Sequence, residues 1–149
     1  MAQTTTAITA CDASIWLDKL AGTPVDVSGS SNSVALNFSQ NLDAQYTFGS
    51  RWPRRFACGK DAAFTLVIFY TSTADEGFDV WKNWFFAAVP GTRTLTIYLP
   101  TKNVGSDRFQ CEVHLESTDI PATAGEGTPV MVTLSLLPDG EVTHSVAAT

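Results

Sequence analysis

Charge is scarce in this chain, and positive charge is scarcer still. Nine Lys and Arg stand against fifteen Asp and Glu among 149 residues, for a formal net charge of -6. A general nucleic-acid binder draws most of its affinity from Lys and Arg neutralising phosphates, so this balance argues against that class. Cysteine is sparse as well: Cys11, Cys58 and Cys111 cannot all pair within one chain and share no C-x-x-C spacing. Reduced thiols are therefore expected. The two histidines, His114 and His144, have no Cys or carboxylate at metal-ligand spacing, and no metal or cofactor site is expected. No apolar run approaches the roughly 18 residues of a membrane span, and MAQTTTAITA carries no basic segment ahead of an apolar one. The expectation is a soluble chain made in the cytoplasm, without membrane contact.

Catalytic patterns are missing too. Gly59-Lys60-Asp61 has Arg54 where a phosphate-binding loop needs its first glycine, and no Ser or Thr follows the lysine. No G-x-S-x-G occurs, and Ser28-Gly29-Ser30 reads as a turn. The Asp75-Glu76 pair suits the positive end of a helix better than a paired acid-base role. No catalytic residue is assigned, and a non-enzymatic protein is expected.

Strand patterns are what the chain has in quantity. Val34, Leu36 and Phe38 alternate with smaller neighbours, as do Leu95, Ile97 and Leu99, and Val130, Val132, Leu134 and Leu136. Phe109, Cys111, Val113 and Leu115 alternate with Arg108, Gln110, Glu112, His114 and Glu116, which predicts a strand with one wet face. Ser14 to Lys19 reads as a first strand, and Glu141 to Val146 as a short edge strand after the Pro138-Asp139-Gly140 turn. Phe64 to Tyr70 is apolar on both faces and is expected to be covered on both.

One helix interrupts the strands. Ser72 and Thr73 precede Asp75 and Glu76 at capping-box spacing, and Phe78, Trp81, Phe85 and Ala88 recur as one stripe up to Pro90-Gly91. This spacing predicts a helix over about 74–89. The fold class is mainly β, an antiparallel β-sandwich or partial barrel with one flanking helix. A single domain over 1–149 is expected, with loose ends at 1–8 and 145–149.

The segment FGSRWPRRFACGKD, Phe48 to Asp61, departs from the acidic background. Phe48, Arg51, Trp52, Arg54, Arg55, Phe56 and Lys60 mix bases with aromatics in a long arm loop over about 41–62. The mixture fits single-stranded nucleic acid, held by phosphate contacts and stacking, or a protein interface. An acidic remainder able to serve as partner, and an unusual connection length, favour the interface. A β-barrel nucleic-acid-binding module using 48–61 is the alternative.

The order of short elements resembles the tail tube (major tail) proteins of tailed bacteriophages. It runs from Asp26-Val27-Ser28-Gly29 through the Ser33 to Phe38 strand and Tyr46 to Ser50. The Arg- and Trp-containing arm, Gly59 to Ala62, one helix and Tyr98 to Pro100 follow. The resemblance implies a virion protein that stacks as hexameric rings into a hollow tube, a conduit for DNA ejection. Related tubes in contractile tails and secretion machines share it. It implies an arm that reaches neighbouring subunits and contacts with tail-tip or baseplate, tape-measure and terminator proteins. DNA is expected to pass without specific binding along an acidic lumen, for which Glu112 and Glu116 are the candidate side chains.

Overall fold

Period-2 alternation becomes eight antiparallel strands among the described residues, which in this computed structural model are 10–20, 22–122 and 127–148. The elements are β1 (Ser14–Leu20), β2 (Thr23–Asp26), β3 (Ser31–Gln45), β4 (Arg54–Phe69), α1 (Gly77–Phe85), β5 (Arg93–Leu99), β6 (Asp107–Asp119), β7 (Met131–Pro138) and β8 (Thr143–Val146). They join in the order β2-β1-β5-β6-β7-β4-β3, with β8 added to β6. β2 has no counterpart in the sequence reading, because Thr23-Pro24-Val25-Asp26 is too short and turn-like to show a period.

The mainly β fold with one flanking helix is present as a single continuous, open sheet, and β6 is the reason. Its first half pairs with β5, from Leu99↔Asp107 to Arg93↔Val113, and with β8. From Val113 onward it pairs with β7, and the register shifts between Leu115 and Ser117. Such a bulge bends a strand and raises its twist. β6 therefore turns the corner between a β2-β1-β5 half and a β7-β4-β3 half, and both bury their apolar rows in one core. That core takes Ile15 and Leu17 from β1, Leu95 and Ile97 from β5, Phe64, Leu66 and Ile68 from β4, and Val132, Leu134 and Leu136 from β7. The cover expected on both faces of Phe64 to Tyr70 is present on one only: Thr65, Val67 and Phe69 are half-buried and Tyr70 is exposed.

The helix is shorter than 74–89 and starts differently. Glu76 occupies the N-cap in extended conformation, with no side-chain cap bond, and the Ser72 or Thr73 capping box does not form. The Gly77 N–H instead donates to Ser30 Oγ at 2.9 Å, inside the protein. Ser30 sits in a 3-10 turn (Ser28–Ser30) and donates to the Val27 carbonyl at 3.1 Å. A Cβ at Gly77 would lie 3.0 Å from Ile68 Cγ2 and 3.1 Å from Ser30 Oγ, so the backbone approach that allows this cap favours glycine. Phe78 and Trp81 are buried as expected, but Val80 and Trp84 complete the buried face. Phe85 is exposed, and Ala88 lies beyond the helix. The reason is the stop at Phe85: Trp84 Nε1 donates to the Gly91 carbonyl at 2.7 Å, which holds the returning chain against the helix end.

Two further expectations change. The arm over 41–62 is not a loop, since β3 and β4 pair from Ser31↔Ile68 to Gln45↔Arg54 and leave only 46–53 as the tip. The loose end expected at 145–149 is held as far as Ala147, which accepts from Gly105 N at 3.0 Å and donates to the Ser106 carbonyl at 2.8 Å. The other expected loose end, 1–8, lies outside the described residues.

Replacing Ser30 by Ala leaves the Gly77 N–H buried without an acceptor and is expected to cost about 1–2 kcal/mol. Ser72→Ala, at the cap position expected from sequence, should change stability by less than about 0.5 kcal/mol. Urea unfolding of the two variants beside the parent chain checks both values.

Candidate functional site

The hairpin leaves the body at Phe38↔Ala62 and runs outward with 37–52 and 54–61 all exposed. Residues paired across an antiparallel ladder share a face. The core-facing row Leu36, Phe64 and Ala62 therefore continues onto Phe38 and Leu42, each about half exposed. Phe38 still touches the body, with its ring 5.9 Å from Phe64 and 5.8 Å from Phe109. Leu42 is further out, on the free hairpin.

A bulge decides how the arm residues group. Asn41 pairs with Gly59 and Leu42 with Ala57, so Cys58 is the extra residue and the faces of β4 exchange there. Lys60 and Arg55 share the face of Phe38 and Leu42, whereas Arg54 and Phe56 lie opposite Gln45 and Asp43 on the other. Phe48, Arg51 and Trp52 stand on the tip, with Phe48 and Trp52 almost wholly in solvent. The seven arm residues thus make a two-sided basic and aromatic prong rather than one cluster. The Ser31 to Phe69 segment carries four basic and two acidic side chains, and the rest of the chain five basic and thirteen acidic. The prong is positive and the body strongly negative.

Glu112 and Glu116 are both exposed on β6. Glu112 accepts a hydrogen bond from the Thr94 hydroxyl across the β5 ladder. Glu116 sits in the bulge between Leu115 and Ser117. The two carboxylates consequently stand on different halves of the sheet. Beside Glu116 the outward rows are Ser117, Ser135, Thr65 and Ala35, then Asp119, Thr133, Val67 and Ser33. This face of the β7-β4-β3 half is short, largely hydroxyl-bearing and poor in cations.

Two groupings escaped the sequence reading. Lys102 Nζ lies 3.8 Å from the Trp16 ring centroid and 5.8 Å from that of Tyr98, while the Arg108 guanidinium lies 6.0 Å from Tyr98. These four line a cleft of about 320 Å³ on the outer face of β1 and β5. The second is an aromatic row along α1: exposed Tyr70 lies against Phe78 at the helix start, and Phe85 and Phe86, both exposed, stand beside Trp81 at its end. Strand pairing assembles the first and the early helix stop the second, so neither has a local signal. The histidines remain at the surface, with His144 Nε2 2.8 Å from Asp107 and His114 Nε2 3.6 Å from Asp139. Among the described residues no three His, Cys, Asp or Glu gather as a metal site, and no helix is long and apolar enough to cross a membrane.

The fold as a whole matches solved chains of tails and tail tubes. The chain superposes on the tail of an empty gene transfer agent particle of C6 symmetry with a TM-score of 0.73, at 13% identity over 94% of this chain and 100% of that one. It matches the SPP1 tail tube with a TM-score of 0.72, at 12% identity over 94% and 80% of the two chains. A chain of the six-fold symmetrised anti-feeding prophage baseplate gives 0.74, at 10% identity over 99% and 100%. At such identities the likeness is one of fold. No protein-family model matches the sequence, and no curated protein does.

The thiols separate by environment. Cys11 and Cys58 are free and exposed, whereas Cys111 is buried and its thiol is pushed up to about 11, first by desolvation and then by the nearby Glu112 charge. Only the thiolate reacts. At pH 8 a disulfide reagent should titrate two thiols in the native protein and the third only after denaturation. Because the native state holds the Cys111 proton above the thiol's ordinary value of 9.0, that group lowers stability as pH rises from about 9 toward 11.

Proposed function

We propose that this chain is a non-enzymatic structural subunit of a virion-type tail. In this reading, copies of it form hexameric rings stacked into a hollow tube that conducts DNA. The observation that carries this reading, on a tail tube fold, is the pair of unsatisfied sheet edges. β3 is the last strand of the sheet, fifteen residues long, and pairs only with β4 among the described residues. β6 pairs with β7 beyond Val113, while its other side, free of β5 from His114 to Asp119, is open among the described residues. A long open edge is a template for another chain. One open edge at each end of a four-stranded half-sheet makes a head-to-tail contact, which closes into a ring when the rotation permits.

The six-fold order is that of the gene transfer agent tail and the anti-feeding prophage baseplate, whose fold this chain shares. Ring closure on these edges turns the hydroxyl-rich face of β7, β4 and β3 toward the lumen, together with Glu116 and Asp119. Glu112, on the other half, belongs to the same acidic face of β6. Short neutral side chains and carboxylates repel phosphate and offer DNA no cation to adhere to. The positive prong then serves the acidic body of a neighbour. Baseplate, terminator and tape-measure proteins are the remaining partners in such an assembly.

Changing Arg51, Arg54 and Arg55 together to Ala is expected to leave the monomer folded and to raise the concentration needed for polymerisation by about tenfold or more, as loss of interface arginines does. Negative-stain microscopy of parent and variant reads this directly. The rival nucleic-acid module requires the opposite signature: salt-sensitive single-strand DNA binding that falls in the variant, with no polymer from the parent chain.

A further inference from the structure

The face of β2, β1, β5 and the first half of β6 that turns away from the core carries charge of both signs, unevenly satisfied. Ser14, Tyr98 and Arg108 form one row across the strands, and Asp26, Trp16, Thr96 and Gln110 form the next. The carboxylates of this face are engaged by neutral donors. Asp18 accepts from the Gly22 N–H at 2.9 Å, Asp26 from the Ser28 N–H at 2.9 Å, and Glu112 from the Thr94 hydroxyl.

The cations of the face lack such partners. Five basic side chains lie outside the Ser31 to Phe69 segment. Lys19 pairs with Asp75, Lys82 pairs with Asp79, and Arg93 lies over the Trp84 ring at 5.9 Å. Lys102 and Arg108 have no carboxylate in an ion pair among the described residues. Arg108 donates through Nη2 to Gln110 Oε1, while its Nε is buried with no hydrogen-bond partner. Both cations stand about the Tyr98 ring, at 5.8 and 6.0 Å from its centroid. Two like charges thus share one aromatic ring without a counter-ion, in a chain of net charge -6.

The surroundings select among anions. A nucleobase or a sugar ring binds by stacking on an aromatic face, and Lys102 already covers the Trp16 ring at 3.8 Å. What the cleft of about 320 Å³ offers instead is Lys102 and Arg108 with Thr94 and Thr96 beside them, donors that suit a carboxylate. A second cleft of about 310 Å³, lined also by Asn103, Val104 and Ala147, shares Tyr98, Lys102 and Arg108 with the first. The cations therefore stand between two hollows, which gives room for consecutive residues of a chain rather than for one small anion. Arginine and aromatic side chains are also the types enriched where proteins meet.

We propose that these adjoining clefts bind an acidic peptide segment of a partner protein, with a carboxylate held by Lys102 and Arg108. The site is separate from the hairpin and lies on the β2-β1-β5 half of the sheet. Binding there requires neither ring nor tube.

Fluorescence anisotropy of fluorescein-labelled tetraglutamate tests the site in a chain with Arg51, Arg54 and Arg55 changed to Ala, which removes the hairpin arginines as a competing basic surface. The peptide should bind saturably, and binding should weaken about tenfold or more in Lys102→Gln and in Arg108→Gln. Lys102 is exposed, so its variant keeps the fold even where Arg108→Gln does not. Unlabelled tetraglutamate should compete, and tetraglutamine should not. Unchanged affinity in Lys102→Gln, or equal competition by tetraglutamine, overturns the site. Inorganic phosphate competing as well as the peptide at equal concentration makes this a small-anion site and overturns the peptide. Stronger competition by tetragalacturonate overturns it in favour of an acidic saccharide.

Discussion

Ala62, Phe64, Leu66 and Ile68 all point from β4 into the core, while the same strand, eight residues earlier, has no core to point into. A partner strand along its whole length lets a sixteen-residue strand keep its extended course beyond the body, because the cross-strand hydrogen bonds hold backbone that would otherwise bend freely in water. β3 supplies that ladder through to Gln45↔Arg54. On the other side β7 pairs only with Phe64 to Phe69, so the hairpin is two-stranded wherever it projects. Reach of the prong, position of the tip and exposure of the Phe38 and Leu42 row all follow from the unequal lengths of these two neighbours.

β6 imposes the second constraint. It belongs to both halves of the sheet, and the bulge at Leu115 to Ser117 is where it changes partners. The helix closes the core over β1 and β4, with Trp81 Nε1 donating to Thr118 Oγ1 at 2.8 Å near the end of β6. Core, corner and helix thereby fix the outward face of the β7-β4-β3 half. None of its residues is chemically unusual. Its properties come from four strands presenting hydroxyls, small side chains and carboxylates in register.

Much of the fold was legible. The alternations at Leu95 and Ile97, at Cys111 and Val113, and at Val132, Leu134 and Leu136 each mark a buried row, since side chains on a strand alternate by necessity. The exposure of Glu112, His114 and Glu116 followed from the same rule. The helix was legible in kind and not in extent. Its cap is Ser30, which is distant in sequence, and its stop depends on Trp84 reaching the Gly91 carbonyl. The arm was legible as basic, aromatic and long. Its hairpin was not, because Ser39 to Gln45 shows no apolar period; a strand pair in solvent has no buried face to write one.

Composition and alternation by themselves determined a β-rich chain with one helix, an acidic body and a basic aromatic arm, because burial of alternate side chains is a local demand on the sequence. Only the tertiary structure decided that the sheet is one open surface turned at β6, and that Arg54 and Arg55 stand on opposite faces of a prong. It also decided that Tyr70, Phe85 and Phe86 stand exposed beside the helix. Those outcomes depend on strand register, and register is set by a single bulged residue, Cys58 in the hairpin or Glu116 in β6, which no periodicity records.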